Sequence, residues 1–338
     1  MCRIVRLLTD HATVVISGTK IADEIGTSRS EVWRLIQQLR ASGVEIAGHP
    51  ATGYRLQKVP DLLLPDSLSP LIKGTVFANR IHHFFRIGST NVAAMEAAAA
   101  GAPEGAVFVA EEQTSGRGRG DHGWHSARSQ GIYCSVILRP ALAPADVLVL
   151  SLAAGLAVRE AVAEVIASTN ADALEKAKSQ FKPPHLDLRW PNDVLLNGKK
   201  FAGLLTELTA EATRVRYAVL GVGLNINQSS FPAELDGVAT SLRIEAGHKF
   251  SRVELAAGLL KSLDREYRSL LSGGAQTRDA ILRRFELHSS YARGRRVLVD
   301  ENGGFEGITA GLDARGFLLV ETANGMRTVI SGGVRALD

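Results

Sequence analysis

Two arginines that alternate with glycines form the segment of this chain best suited to chemistry. Residues 113–119 read Gln-Thr-Ser-Gly-Arg-Gly-Arg and follow residues 106–110, an apolar run that predicts a strand. Glycine lets a backbone approach a ligand closely, and arginine offers a fixed fork of donors to a carboxylate or a phosphate. A loop of this composition suits a substrate that carries both groups.

A second polar segment adds cations and amides to this loop. Residues 189–193 read Arg-Trp-Pro-Asn-Asp, and residues 197–203 read Asn-Gly-Lys-Lys-Phe-Ala-Gly. The Asn-Gly pair between two apolar runs predicts a β-hairpin. Arg117, Arg119 and Lys200 have the charge needed to stabilise negative charge that develops on a phosphoryl or acyl-phosphate centre.

Other kinds of catalytic site find little support. No Ser-His-Asp or Cys-His arrangement is evident, and neither a Walker-type phosphate loop nor the Rossmann glycine spacing occurs. His82 and His83 would point to opposite faces of a strand, which argues against a metal site there. Cys2 and Cys134 lie too far apart in sequence to suggest a disulfide framework. We therefore expect an electrostatic site at which the substrate supplies its own nucleophile.

Length and composition limit the class of protein. A chain of 338 residues, 45% hydrophobic and 22% charged, is typical of roughly two to three globular domains. The longest uncharged apolar run, 147–158, is too short to cross a bilayer, and the N-terminus lacks the layout of a signal peptide. We expect a cytoplasmic protein without a membrane partner. Residues 1–60 carry eight Lys or Arg against five Asp or Glu, which predicts a basic N-terminal module.

Residues 1–60 have the pattern of a winged helix-turn-helix domain. Gly26 separates two helical stretches, and apolar residues at helical spacing predict a recognition helix over residues 29–42. Alternating residues around a glycine-containing turn predict a small hairpin over 44–56. A helical adaptor that docks on protein is the alternative to DNA binding. The candidate DNA-binding groups on the polar face are Ser28, Arg29, Ser30, Trp33, Arg34 and Gln37.

Three further segments follow along the chain. Proline-rich residues 59–70 predict a linker. Residues 71–285 mix strands and helices and predict a mixed sheet packed by helices on one side, with an insertion at the surface over 168–185. Short strands separated by glycine turns over residues 291–338 predict a small β-barrel with no obvious chemistry.

These motifs together resemble the bifunctional biotin–protein ligases that also act as biotin operon repressors. The resemblance extends over nearly the whole chain. It implies an α/β (α+β) protein of three domains: a winged helix (1–60), a central mixed-sheet ligase domain like class II synthetases (71–285) and an SH3-like barrel (291–338). The segments that carry it beside the winged helix and the C-terminal barrel are 89–91, 113–124, 190–193, 198–203 and Gly-Val-Gly-Leu-Asn-Ile-Asn at 221–227.

The resemblance implies a two-step acyl transfer and a regulatory role. ATP, as its Mg²⁺ complex, and biotin would give biotinyl-5'-AMP, and a lysine of the biotin carboxyl carrier protein of acetyl-CoA carboxylase would then accept the biotin. No metal would be held by the protein alone. Operator DNA is the other implied partner, with a homodimer formed when the adenylate is bound.

Roles are implied residue by residue where the motifs match. Lys200 would contact the biotin carboxylate and the α-phosphate, Arg119 would help to retain the adenylate, and Asp193 would orient or deprotonate the incoming lysine. The implied nucleotide and magnesium positions are Asn192, Asn225 and Trp124. The implied biotin-binding positions are Ser89, Thr90, Asn91, Gln113, Arg117, Gly118, Arg119 and Lys200.

The chain departs from the family pattern at one place, and two alternative functions stay open. The family loop usually has a further Gly-Arg where this sequence has Asp121-His122, which removes a positive charge and predicts weaker retention of the adenylate. One alternative is a lipoate or octanoate transferase of the same fold superfamily, although the Gly-Arg loop argues against it. The other is a biotin-sensing transcription factor without catalysis, in which Arg119 and Lys200 would be free to change.

Overall fold

The structure, a computed structural model, describes residues 2–41, 43–58, 61–120, 122–176, 183–301 and 303–337. Contacts divide the chain into two compact units, Met1–Ser67 and Leu68–Asp338. The second unit therefore holds both the predicted catalytic segment and the predicted C-terminal segment. No helix within the described ranges is long and apolar enough to cross a bilayer.

The first unit contains three helices and a hairpin, as the sequence predicts. Ser17 caps α2 by accepting a hydrogen bond from the Lys20 amide, and Gly26 ends that helix at φ 70°. The recognition helix, α3, ends at Ala41, and residue 42 lies outside the described residues. The hairpin begins two residues later than predicted. The elements are α1 (Cys2–Asp10), α2 (Gly18–Ile25), α3 (Arg29–Ala41), β1 (Ile46–His49) and β2 (Gly53–Leu56).

The predicted linker over residues 59–70 is partly a packed segment. Residues 59 and 60 lie outside the described residues. A short helix, α4 (Pro65–Leu68), follows them, and Leu62, Leu63 and Leu64 are buried. The prolines predicted a linker without packed structure. The leucines between them nevertheless bury apolar surface, which favours a packed segment.

A seven-stranded mixed sheet forms the centre of the second unit. The strand order is β3-β4-β5-β9-β8-β7-β6; β3 and β4 are parallel, and the other neighbours are antiparallel. The predicted mixed sheet is confirmed, and β3 contains His82 and His83, but β6 does not follow from the sequence patterns. The strands are β3 (Ile81–Phe84), β4 (Val107–Ala110), β5 (Gly131–Leu138), β6 (Leu186–Arg189), β7 (Asp193–Leu196), β8 (Lys199–Ala210) and β9 (Val215–Asn225).

Helices cover this sheet. The long helix α6 packs on α8 and α9, and the small side chains Ala94 and Ala98 let α5 pack closely against β5 and β9. Helix α6 extends to Lys176, beyond the predicted end at residue 166, and residues 177–182 of the predicted insertion lie outside the described residues. The helices are α5 (Thr90–Ala99), α6 (Val147–Lys176), α7 (Leu242–Ala246), α8 (Arg252–Ser272) and α9 (Gly274–Leu287).

The chain ends in a small antiparallel sheet of strand order β13-β12-β11-β10-β14. It joins the rest of the second unit through specific contacts: the Trp190 indole donates to the Gly316 carbonyl at 2.9 Å, and the Glu286 carboxylate accepts from the Leu312 amide at 2.6 Å. The strand β14, which is very short, is not evident in the sequence. The strands are β10 (Arg293–Val299), β11 (Phe305–Leu312), β12 (Leu318–Thr322), β13 (Gly325–Val329) and β14 (Val334–Ala336).

Candidate functional site

The predicted ligand-binding residues line two adjoining cavities. The first has a volume of about 510 Å³, within the range of small-molecule sites. The second, of about 740 Å³, shares part of the same wall and adds Asn225. The predicted residues that line the first are Ser89, Thr90, Asn91, Gln113, Arg117, Gly118, Arg119, Trp124, Asn192, Asp193 and Lys200.

Buried hydroxyls and amides form one end of the first cavity. The Thr90 amide and hydroxyl donate to Gln113 Oε1 at 2.8 and 3.0 Å, and Gln113 Nε2 donates to Ser126 Oγ at 2.9 Å. Ser135 Oγ lies 2.8 Å from Thr90 Oγ1. Ser89 Oγ is buried without a hydrogen-bond partner. Because an unpaired buried hydroxyl is costly, a polar ligand group is the natural partner for Ser89.

Two glycines make room for Trp124 on the sheet. Gly203 of β8 and Gly223 of β9 are directly paired. A Cβ atom on Gly223 would lie 2.5 Å from Trp124 Cε2, and one on Gly203 would lie 2.8 Å from Cζ3. Only glycine permits this close approach of the indole to the sheet. Trp124 lines both cavities, and its indole Nε1 is buried against Gly223 without a hydrogen-bond partner.

Cations surround the carboxylate of Asp193. Lys200 Nζ lies 2.7 Å from Asp193 Oδ1, and Arg189 Nη2 donates to Oδ2 at 2.7 Å. Burial lowers the pKa of the Arg119 guanidinium, while the Asp193 carboxylate acts in the opposite direction. An arginine starts so far above neutrality that Arg119 stays charged. The cavity wall is therefore net positive here and suited to an anion. Arg189, which the sequence did not single out as a site residue, is the cross-strand partner of Asp193.

The remaining loop arginine connects to the polar end of the cavity. Arg117 Nη1 lies 3.2 Å from Glu207 Oε1, and Asn91 Nδ2 donates to Glu207 Oε2 at 2.6 Å. Sequence reasoning missed Glu207 and Ser135. Ser135 lies in the otherwise mostly apolar strand β5, and Glu207 lies in β8 among other polar residues, so neither stands out by its type or spacing.

Asn192 and Asn225, which the sequence predicts near the nucleotide, have contacts within the protein. Asn192 Nδ2 donates to the Leu204 carbonyl at 2.6 Å, which fixes the chain next to Asp193. The buried Asn225 accepts from Gln228 Nε2 at 3.2 Å. None of the described residues forms a group of three or more His, Cys, Asp or Glu side chains that could hold a metal ion.

The substituted part of the Gly-Arg loop is only partly described. Residue 121 lies outside the described residues, and His122 lines both cavities. The His122 carbonyl accepts from the Gly118 amide at 2.7 Å, which closes the loop on itself. The expected effect of Asp121-His122 on adenylate retention stays a prediction.

The C-terminal sheet takes part in the site, contrary to the expectation that it carries no chemistry. Arg119 Nη1 donates to the Gly332 carbonyl at 3.0 Å, and Asp300, Gly333 and Arg335 line the first cavity. The sequence could not indicate this, because the contact joins residues 213 positions apart. The C-terminal segment therefore forms one wall of the cavity.

The recognition helix α3 exposes most of the predicted DNA-binding side chains. Arg29 donates to the Pro50 carbonyl at 3.1 Å, and Arg34 forms a two-pronged pair with Glu31 at 2.5 and 2.8 Å. The pair raises the pKa of Arg34 and lowers the pKa of Glu31. Trp33 is 49% exposed. Ser28, Ser30 and Arg34 are also exposed, and Gln37 is half-buried.

Comparison with known proteins decides the family. A model described as the biotin/lipoate A/B protein ligase family matches residues 85–225, an HTH domain model matches residues 3–55, and a biotin protein ligase C-terminal domain model matches residues 294–334. The bifunctional ligase/repressor BirA of Bacillus subtilis is 34% identical over 333 residues, which are 98% of this chain and 97% of that protein. This chain belongs to the biotin–protein ligase family.

Other members of the family agree with this assignment. The biotin–[acetyl-CoA-carboxylase] ligase of Mycobacterium tuberculosis is 36% identical over 250 residues, or 73% of this chain and 84% of that protein. The biotin protein ligase from Aquifex aeolicus, solved in complex with biotin and ATP, superposes with a TM-score of 0.62 at 27% identity over 77% of this chain and 100% of its own. The predicted family resemblance is confirmed.

Proposed function

We propose that this protein is an ATP-dependent biotin–protein ligase that also represses transcription. One observation carries the ligase proposal: a single cavity has uncharged buried polar groups at one end, around Ser89 and Gln113, and cations at the other, Arg119 and Lys200. The uncharged end suits the carbonyl and two N–H groups of a cyclic urea. The cationic end suits the carboxylate of biotin and the α-phosphate of ATP. We propose a cytoplasmic location, where ATP is supplied.

In the first step, a biotin carboxylate oxygen attacks the α-phosphorus of ATP and pyrophosphate leaves. Lys200 and Arg119 reduce the repulsion between the two anions and stabilise the charge on the phosphoryl oxygens in the transition state. Mg²⁺ enters as the ATP complex, since this ion is usually held by substrate phosphates together with few protein oxygens. We propose Asn192 and Asn225 as polar neighbours of that complex and Trp124 as a wall for the nucleotide.

In the second step, a lysine amine of the biotin carboxyl carrier protein attacks the carbonyl carbon of the adenylate and AMP leaves. Both oxygens of Asp193 are paired in the structure, with Lys200 and Arg189. When Lys200 turns to the substrate, Asp193 Oδ1 becomes free to orient the incoming amine and to take its proton. Arg189 keeps the carboxylate in place during that exchange.

Isotope exchange tests the first step. Labelled pyrophosphate should enter ATP only when biotin is present, since exchange requires reversible formation of the adenylate. Lipoate and octanoate in place of biotin should give no exchange, because neither offers a urea to the uncharged end of the cavity. Exchange with lipoate or octanoate but not with biotin would favour the lipoate or octanoate transferase alternative. No exchange with any of the three acids would favour the non-catalytic sensor.

We infer that residues 1–60 bind operator DNA through α3. Arg29→Ala should weaken DNA binding a few-fold and reduce the slope of log K against log[salt] by about 0.9, since one phosphate contact is lost. A filter-binding or anisotropy titration at several salt concentrations measures this slope. Arg6→Ala is the matched control, because Arg6 lies on α1 and faces Asp10 and Asp66 at 3.8 and 3.7 Å. Equal slopes for Arg29→Ala and the wild type would contradict the assignment of this helix.

We further propose that the adenylate controls assembly. A single winged helix makes few specific contacts, and dimers that read paired half-sites are the usual solution. A bound adenylate orders the glycine-rich loop around Arg117 and so removes part of the entropy lost on dimerisation. Sedimentation should find a monomer without ligand and a dimer with biotin and ATP. A dimer of equal stability in both states would mean that the adenylate does not regulate through assembly.

A further inference from the structure

The carboxylate of Glu207 contacts both the wall of the cavity and the covering loop, which is the Gly-Arg loop over residues 116–124. Glu207 lies on β8 with a side chain only 24% exposed. Its Oε2 accepts a 2.6 Å hydrogen bond from Asn91 Nδ2, and its Oε1 pairs with Arg117 Nη1 at 3.2 Å. Each oxygen is therefore used by a different residue of the cavity wall.

This contact fixes which way the Asn91 amide faces. An ionised carboxylate only accepts hydrogen bonds, so the amide group turned to Glu207 must be the NH₂ donor. The carbonyl oxygen, Oδ1, is then turned to the opposite side, 2.9 Å from Ser135 Oγ. A Cβ atom on Gly221 would lie 2.3 Å from this oxygen, so the amide rests directly against β9.

The acceptor capacity that remains on Asn91 Oδ1 suits an N–H donor of the ligand. The Ser135 hydroxyl has one proton to give and lies near both Asn91 Oδ1 and Thr90 Oγ1. A carbonyl oxygen has two lone pairs, so Asn91 Oδ1 keeps acceptor capacity in either arrangement. Asn91, Ser135 and Gly221 all line the first cavity.

We propose that Glu207 is a specificity-determining positioning residue, which holds the Asn91 amide so that its oxygen accepts from a ureido N–H. The proposal rests on the biotin-ligase function above. Glu207 does not touch the ligand in this scheme; it acts through Asn91. The pair with Arg117 adds a second effect, since it ties the covering loop to the same carboxylate. Without Glu207, the amide is free to present its NH₂ group instead, and a urea N–H then meets a donor.

Binding of biotin alone, measured by titration calorimetry, tests the role of Glu207. Glu207→Met keeps roughly the size of the side chain but removes the carboxylate that accepts from Asn91, and we expect biotin affinity to fall about tenfold, the upper range for the loss of one neutral hydrogen bond. Glu211→Met is the matched control: this exposed carboxylate follows the same strand and lies 3.7 Å from Arg216. Its biotin affinity should equal that of the wild type.

Two biotin analogues, each methylated on a different ureido nitrogen, separate positioning from general damage to the site. The wild type should bind at least one of them much more weakly than biotin, because that N–H can no longer donate to Asn91. In Glu207→Met, and likewise in Glu207→Ala, the ratio of affinities for biotin and that analogue should shrink by about tenfold. Loss of the Arg117 pair affects both ligands alike and cancels in the ratio.

The outcomes distinguish failure of the Glu207 role from failure of the ligase proposal. A ratio unchanged in both variants, with affinities that fall in parallel or not at all, would overturn the role of Glu207 and leave the ligase proposal intact. A wild-type protein that does not bind biotin would overturn the ligase proposal and the role of Glu207 with it.

Discussion

Replacement of Lys200 by alanine is expected to lower the rate of adenylate formation by a factor of about 10² to 10³, the usual effect of removing one transition-state donor. Lys200 Nζ lies 2.7 Å from Asp193 and 5.6 Å from the centre of the Trp124 ring, so its charge is held at the junction of the two cavities. Charge on the phosphoryl group grows as the carboxylate attacks. The rate should therefore fall far more than the affinity for biotin.

Single-turnover formation of the adenylate measures this effect, and calorimetry measures biotin binding separately. Lys199→Ala is the matched control, because the neighbouring Lys199 is exposed and does not line either cavity. A Lys200→Ala protein that forms the adenylate at the wild-type rate would remove Lys200 from the mechanism.

Replacement of Arg119 by alanine is expected to release the adenylate about a hundredfold faster. The guanidinium bridges the covering loop and the C-terminal sheet through its 3.0 Å bond to Gly332, and it supplies positive charge near the phosphate. Its loss removes both the contact and the attraction. Since the freed adenylate is a reactive mixed anhydride, it should then biotinylate lysines of proteins that are not substrates.

Rapid dilution of the preformed complex gives the release rate, and labelling of serum albumin reports escape of the intermediate. Arg128→Ala serves as the control, because Arg128 pairs with Glu112 at 2.7 Å and lines neither cavity. Albumin labelling no greater than that of the wild type would mean that Arg119 does not retain the adenylate.

The sequence predicted most of the architecture where patterns were long or turn residues decisive. Asn197-Gly198 marked the β7–β8 hairpin because Asn197 adopts φ 48° and Gly198 φ 82°, a conformation these residues tolerate. Gly26 marked the end of α2 for the same reason. Short strands such as β6 and β14 carry too few residues to show a period, and their place depends on pairing with other strands.

For the site, sequence indicated the residues with recognisable motifs but not those that position them. Arg119, Asp193 and Lys200 follow from the motifs. Glu207 and the contact of Arg119 with Gly332 depend on which strands and loops meet in space, information that spacing along the chain does not contain. Trp124 illustrates the same limit, because its place against Gly203 and Gly223 requires β8 and β9 to be paired in register.

Transfer of biotin to a carrier domain tests the central claim most directly. The wild-type protein, incubated with labelled biotin, ATP, Mg²⁺ and a biotin carboxyl carrier domain, should place the label on one lysine of that domain, with no labelling when either ATP or biotin is left out. Substitution of that lysine by arginine should abolish labelling. A carrier domain that stays unlabelled under these conditions, although it accepts biotin from a known ligase, would contradict the proposed function.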